Sequence, residues 1–467
     1  QIFIILAVCR AISVPFSYVN QPRVIAEVIG GILLGPTALG RWKWFATNIF
    51  PPAQLGPLNI LANVGLIFFL LLMGLELDLG IVQKRAKISL SISLTGIIGT
   101  FALSIGVSRF FYLNIPGLDE KGYTNFMLFI GVAMSVTALP VLARILTERK
   151  LLHTPVGVTV ISAAAVDDAT GWTFLALVVS LISTASNATI VYIIICALAF
   201  AAFQFLVMRR VFLWLYIRLT NFHHGNTNRG GGAHTLSEPM VVLAFVWTLI
   251  SAFFTQAIGI HAIFGAFLTG LILPRENGFA IKLTERLEEV VSVLLLPLYF
   301  TYSGLKTNIG SLNTGLSWGC VFLVLSTVCV GKIGGCTMAA RLVGKHPWRE
   351  ALTVGCLMNT KGLVELIILN IGLTAGILNT QSFAIMVLLA ISTTLMTTPL
   401  VTWLYPPSAY LKKMEPSEKD FQKDREQLEN PLDYDARFVL CLPNIRYVRK
   451  FAFSKILPLH SDFDRMR

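Results

Sequence analysis

Five ionisable side chains interrupt long apolar runs of this chain: Asp167, Asp168, Lys332, Lys361 and Glu365. A charge at the centre of a bilayer costs about 3 kcal/mol or more, so each needs a use. At about 1.5 Å per residue, Asp167 lies on the order of 20 Å into its run, and Lys332 lies comparably deep in its own. Adjacent helical residues point about 100° apart, so the two acids cannot share one contact. One is expected to face a partner on a neighbouring helix, the other an aqueous cavity. Ser162, Ala163, Ala164 and Ala165 precede them and would let another backbone approach closely. As glue between apolar helices, two adjacent acids are a costly choice. Burial disfavours a bare carboxylate, and a nearby ammonium or bound alkali cation favours it. Asp168 is therefore expected to hold either a proton or a dehydrated cation.

Two runs carry breaks at similar depth: Ser135-Val136-Thr137-Ala138-Leu139-Pro140 and Met358-Asn359-Thr360-Lys361-Gly362. Proline removes a backbone donor, and Gly and Asn tolerate non-helical backbone. Taken singly, each could be a simple kink. Unwound backbone at membrane depth persists only where it lines a cavity or packs on protein. Paired interruptions at corresponding positions point to a transporter's binding site. The backbone at Ser135, Val136, Asn359 and Thr360 would then carry half-helix partial charges of both signs to the midplane. Lys361 and Glu365, four residues apart, either pair along one helix or leave Glu365 free for gating or ion coordination. Glu27 and His261 fall outside the broken units and read equally as pathway residues or as hydrogen-bonded packing.

The elements that must position these groups are membrane helices. Of 467 residues, 55% are hydrophobic and 13% charged, against about 25% charged in a soluble domain. Apolar windows bounded by Pro, Gly and charge give an all-α polytopic protein of thirteen spans: 2–19, 21–38, 57–78, 86–112, 123–147, 154–183, 189–219, 236–256, 259–273, 283–304, 315–343, 348–375 and 380–404. Seventeen Lys and Arg fall in the loops after odd-numbered spans up to the eleventh, against five in the alternate loops. The N-terminus is thus expected outside or lumenal, and the charged tail 406–467 cytosolic. Spans 5 and 12 cross in opposite directions, so spans 4–6 and 11–13 form two inverted three-helix units, each with a broken middle helix.

The net charge of +12 is a topology signal rather than a nucleic-acid footprint. Cys320, Cys329 and Cys336 read as small packing residues. His223, His224 and His234, in or beside the Gly- and Asn-rich connector 221–237, have nothing to fix a metal geometry. No cofactor is expected, and no metal other than a transported alkali cation. In the tail, Met414–Glu429 is amphipathic and Arg437–Leu442 resembles the first strand of a soluble domain. No signal peptide is evident, and Gln1 is not an initiator residue, which leaves the true start open.

Gln21–Pro36 (QPRVIAEVIGGILLGP), Ala165-Val166-Asp167-Asp168 and Asn359–Leu366 (NTKGLVEL) together resemble the monovalent cation:proton antiporter-2 family. The combination is most similar to plant cation/H⁺ exchangers and fungal K⁺/H⁺ antiporters, over residues 1–405. The resemblance implies a Na⁺/H⁺ antiporter-like fold and a lipid-embedded homodimer. Segments 1–78 and 236–304 would form the dimerisation domain, 86–183 and 315–404 the moving core, and 189–219 the link. It implies Asp168 as principal ion and proton carrier, Asp167 paired with Lys332, and the hydroxyls of Thr137 and Ser162 as further ligands. It also implies K⁺/H⁺ exchange and pH homeostasis in a eukaryotic endomembrane (Golgi or endosomal), with the plasma membrane second. Bacterial glutathione-gated members usually carry Gln at the position of Asp167, and electroneutral Na⁺/H⁺ exchangers Asn. Asp-Asp with Lys332 resembles electrogenic Na⁺/H⁺ antiporters instead.

The expected mechanism is alternating access, the core moving across the dimer domain only when charge is compensated. Cation arrival could open Asp167–Lys332 and free a second proton. Rival classes fit less well. An intramembrane aspartyl protease needs carboxylates facing each other, normally from two helices. A passive K⁺ channel needs a repeated filter loop. Paired acids argue against an organic anion as cargo.

Overall fold

A computed structural model describes residues 1–18, 21–51, 54–76, 86–118, 122–149, 151–152, 154–183, 187–224, 238–275 and 279–406. The chain divides into Gln1–Pro407 and Ser408–Arg467. Met414–Glu429, Arg437–Leu442, His234 and the side chains of His223 and His224 lie outside the described residues.

All regular structure among the described residues is helical. The main helices are α1 (Ile2–Tyr18), α2 (Arg23–Leu34), α3 (Leu55–Glu76), α4 (Ala86–Asn114), α5 (Tyr123–Ser135), α6 (Leu139–Glu148), α7 (Pro155–Ser183), α8 (187–224), α9 (Glu238–Ile258), α10 (Ile263–Ile272), α11 (279–306), α12 (315–342), α13 (Trp348–Met358), α14 (Leu363–Thr374) and α15 (Thr380–Leu404). Local chemistry sets several starts. Pro140 stands in the first turn of α6, where a missing N–H costs nothing. Asn379 and Ser382 form a reciprocal capping box at the start of α15. Three helices each contain one wider π turn; that in α12, Cys329–Ile333, holds Lys332.

Nine segments among the described residues are long and apolar enough to cross a bilayer. The expected thirteen is neither confirmed nor contradicted by that number, which counts the described residues alone and leaves out the 29-residue α7. The half-helices α13 and α14 and the short α1 and α10 fall below the roughly 20 residues a single crossing needs. The breaks stand where the sequence puts them: 136–138 between α5 and α6, and 359–362 between α13 and α14.

Helix packing within Gln1–Pro407 falls into two sets. In one, α2 lies against α1 and α11, and α3 against α10, α11 and α9. In the other, α4 packs on α5, α7 and α12, while α13 packs on α7, α12 and α15. Helix α8 touches α7 and α9.

Two glycine pairs allow close backbone contacts within the first set. A Cβ on Gly31 would sit 2.3 Å from the Thr301 carbonyl, and one on Gly304 2.5 Å from that of Val28. Gly74 and Gly270 repeat this between α3 and α10, at 2.4 Å from the Phe267 carbonyl and 2.3 Å from that of Leu71. If α2 and α3 correspond to α10 and α11 in an inverted repeat, α2–α11 and α3–α10 are the same contact seen twice. Small residues are what such close membrane crossings require.

Candidate functional site

The two breaks meet. The Ala138 amide donates to the Thr360 carbonyl at 3.0 Å, and the Thr137 hydroxyl donates to the Met358 carbonyl at 2.6 Å. Each unwound stretch therefore finds partners in the other, which is how broken backbone survives at this depth.

The last carbonyls of α5 have no helical partner of their own and form its partially negative end. Two lysines from the opposite unit fill them. Lys332 donates to the Ser135 carbonyl. Lys361 donates to those of Ala133 and Val136, at 3.0 and 3.1 Å. Lys361 also stands 3.2 Å from Glu365 Oε2, an ion pair without hydrogen-bond alignment, since neither Glu365 oxygen has a hydrogen-bond partner. The Lys361 carbonyl accepts from the Thr394 hydroxyl of α15.

Asp167 is the hub of the arrangement. Lys332 Nζ is 3.0 Å from both of its carboxylate oxygens. The Ser93 hydroxyl of α4 donates to Oδ1 at 3.1 Å, and the Thr137 amide donates to Oδ2 at 2.7 Å. Asp167 and Lys332 are 0% and 1% exposed. The stem of Lys332 crosses α4 at Gly96, where a Cβ would stand 3.4 Å from Lys332 Cδ and 2.5 Å from the Cys336 sulfur.

Asp168 differs. It is 1% exposed, not open to a water-filled cavity as expected of the second acid, and its Oδ1 has no hydrogen-bond partner. A buried carboxylate oxygen left unfilled is costly unless a proton or cation takes the place. The Asn359 Oδ1, in the second break, is also buried and unfilled, while its Nδ2 reaches the Cys329 sulfur at 3.5 Å.

The structure thus gathers Asp167, Lys332, Ser135 and Thr137 into one contact, with Lys361 and Glu365 beside it through Val136. Ser162 stands apart: it is six residues from Asp168, about 9 Å along the helix, and its hydroxyl donates to the Val158 carbonyl at 2.8 Å. Glu27 is buried on α2, in the other helix set. Ser93 and Thr394 carry no signal in the sequence, because Ser and Thr recur along their helices and only packing selects the inward one.

A cavity of about 290 Å³ lies between the helix sets, lined by Asn59, Asn63, His261, Tyr299, Lys306 and Asn370 among others. The Asn370 amide donates to Ser303 at 2.8 Å across the boundary between α14 and α11. Among the described residues, no group of His, Cys, Asp and Glu is placed to hold a metal ion.

A family model described as sodium/hydrogen exchanger, transmembrane, matches residues 3–404. The chain is similar to Cation/H(+) antiporter 18 of Arabidopsis thaliana, 45% identical over 88% of this chain and 49% of the relative. K(+)/H(+) antiporter 1 of Saccharomyces cerevisiae is 37% identical over 87% of this chain and 46% of its own length. The chain spans about half the length of these plant and yeast relatives. Na(+)/H(+) antiporter NhaS4 of Synechocystis is 36% identical over 88% of this chain and 97% of its own. Among solved structures, the sodium proton antiporter MjNhaP1 from Methanocaldococcus jannaschii shares the fold, with a TM-score of 0.55 at 15% identity, over 89% of this chain and 98% of that one.

Proposed function

The chain belongs to the sodium/hydrogen exchanger family of integral membrane transporters, and on that premise we propose that it exchanges a monovalent cation for a proton, with K⁺ as the cation. The observation that carries this reading is the contrast between two adjacent acids. Asp167 is filled by four donor contacts, whereas Asp168, equally buried, has an oxygen with none. A carboxylate in that position cannot stay bare away from water, so it holds H⁺ or a dehydrated alkali cation, and the two compete. If the core crosses the bilayer only with Asp168 occupied, competition becomes exchange. Thr137 stands as a further oxygen ligand, Ser162 being set about 9 Å away along the helix, and Glu365, without an aligned partner, as the second acid of the pathway.

The names of the plant and yeast relatives support K⁺ or a broader cation choice. Na⁺/H⁺ exchange is the second reading, favoured by the Asp167-Asp168-Lys332 combination and by the name of the Synechocystis relative, a Na(+)/H(+) antiporter. In the proposed cycle α1–α3 and α9–α11 form a dimer scaffold, α4–α7 and α12–α15 move, and α8 links them. The distribution of basic loops supports an outer or lumenal N-terminus and a cytosolic tail. Residence in a eukaryotic endomembrane is part of the same proposal, with the plasma membrane second.

The test is cation uptake into proteoliposomes under a pH gradient, comparing K⁺, Na⁺ and Li⁺. Exchange should run protons against the cation, and lowering the pH on the cation side should raise KM while leaving kcat unchanged. Cation flux that moves no protons would make the protein a channel and end this reading.

A further inference from the structure

The proton inventory around Asp167 and Lys332 closes. An ammonium has three N–H donors and no acceptor. Those of Lys332 face Asp167 Oδ1, Asp167 Oδ2 and the Ser135 carbonyl. Each carboxylate oxygen of Asp167 takes a second donor from elsewhere, Ser93 for Oδ1 and the Thr137 amide for Oδ2. A proton lost from Lys332 would take the cation away from the buried Asp167 carboxylate and turn a nitrogen lone pair toward surrounding acceptors. A proton gained by Asp167 on Oδ2 would point at the Thr137 amide, which cannot accept, and one on Oδ1 would force Ser93 to turn from donor to acceptor. Either event disturbs a filled arrangement, at a cost that a neighbouring site with a vacant oxygen does not carry. Asp168 is that site.

Of the non-lysine donors, the Thr137 amide is fixed by the break itself, but Ser93 comes from α4, which has no part in either break. Remove its hydroxyl and Oδ1 keeps Lys332 alone, with room for a water or an arriving cation to compete for it. Resting on the cation/proton exchange proposed above, we propose that Ser93 is a positioning residue that completes the Asp167–Lys332 pair and thereby holds exchange to one cation against one proton. Per cycle, Asp168 releases one H⁺ to the compartment that supplies one monovalent cation, and takes one H⁺ back where the cation leaves. Lys332 and Asp167 keep their charges throughout, so no net charge crosses. The other charged groups nearby, Lys361 and Glu365, form their own neutral ion pair, with Lys361 donating to the carbonyls of Ala133 and Val136. One-for-one exchange stands as the alternative to the expectation that cation arrival frees a second proton from Lys332, and the two differ in the charge moved per cycle.

The experiment uses the full chain in proteoliposomes, with cation and proton fluxes measured at imposed potentials of opposite sign. A cycle moving one net charge responds to 100 mV by about fifty-fold in its limiting cation gradient, whereas a one-for-one exchange does not respond. The wild type should be insensitive to voltage. Ser93→Ala should still exchange, with a slope against voltage. Ser93→Thr, which keeps the hydroxyl, should return toward the wild type. Ser89→Ala removes a hydroxyl one turn earlier on the same helix, where the oxygen is buried with no partner, and should behave as wild type. A voltage-driven wild type, or a Ser93→Ala variant as insensitive as wild type, overturns the assignment while leaving antiport intact. A wild type with no coupled proton flux instead overturns the antiport reading itself.

Discussion

Replacing each acid by its amide separates two kinds of buried carboxylate. Asp168→Asn removes a charge from a position that is 1% exposed and whose Oδ1 makes no hydrogen bond. No partner is stranded, so folding stability should stay level or rise by about 1 kcal/mol. Exchange should vanish, because an amide neither takes up a proton nor neutralises a cation. Asp167→Asn strands Lys332, whose ammonium is fully inside the protein, and turns an N–H group toward surrounding donors. Removing one partner of a buried pair costs about 3–5 kcal/mol. The two variants should therefore differ by about 3 kcal/mol or more, although their side chains are adjacent and the substitutions chemically identical. Thermal unfolding in detergent, followed by the loss of the folded peak on size exclusion, reads the stabilities, and proteoliposome uptake reads the flux. Robust pH-driven cation flux through Asp168→Asn, or equal melting of the two variants, would refute the division of roles.

Lys361→Met should lower the melting temperature and reduce flux, since it uncovers the carbonyls of Ala133 and Val136 and leaves Glu365 without its cation. Adding Glu365→Gln should recover part of the stability, because the stranded charge goes with it; no recovery would mean that the carbonyls alone set the loss. In the other helix set, Gly304→Leu should weaken folding severely, as its Cβ would lie 2.5 Å from the Val28 carbonyl and 2.7 Å from the Gly31 Cα. Gly315→Ala, with nothing within 4 Å of the new atom, should melt like the wild type.

The legible part of this molecule is the part that violates the rules of an apolar chain. Lys332, Lys361, Asp167, Asp168 and Glu365 announce themselves because hydrocarbon penalises them, and the breaks do so because Pro140, Asn359 and Gly362 disturb helices. Depth follows from counting residues, which is why Asp167 and Lys332 could be set at one level. What counting could not supply is direction around each helix. Ser89, Ser91 and Ser93 sit two apart on α4, and only its packing against α7 and α12 decides that Ser93 meets Asp167 while Ser91 bonds the Lys87 carbonyl of its own turn. The closed surroundings of Asp168 were equally hidden, because whether an acid faces water depends on which state of the cycle the helices occupy.

The distribution of partners across the two breaks also argues for what moves as a unit. Both lysines belong to the second inverted unit, yet the carbonyls they cover belong to the end of α5 and the first residue of the break in the first. The Thr137 hydroxyl and the Ala138 amide reach back to Met358 and Thr360. Separating the units would uncover two ammonium groups and several backbone dipoles at once, each worth several kcal/mol in hydrocarbon. Beside the cavity, by contrast, the two helix sets meet through neutral contacts such as Asn370 with Ser303, which can be exchanged for water or for one another at small cost. The boundary beside the cavity is thus the cheap place to slide, and the crossed breaks are the expensive place to open. A mechanism that carries Asp168 from one side of the bilayer to the other with its crossing intact follows from that inequality.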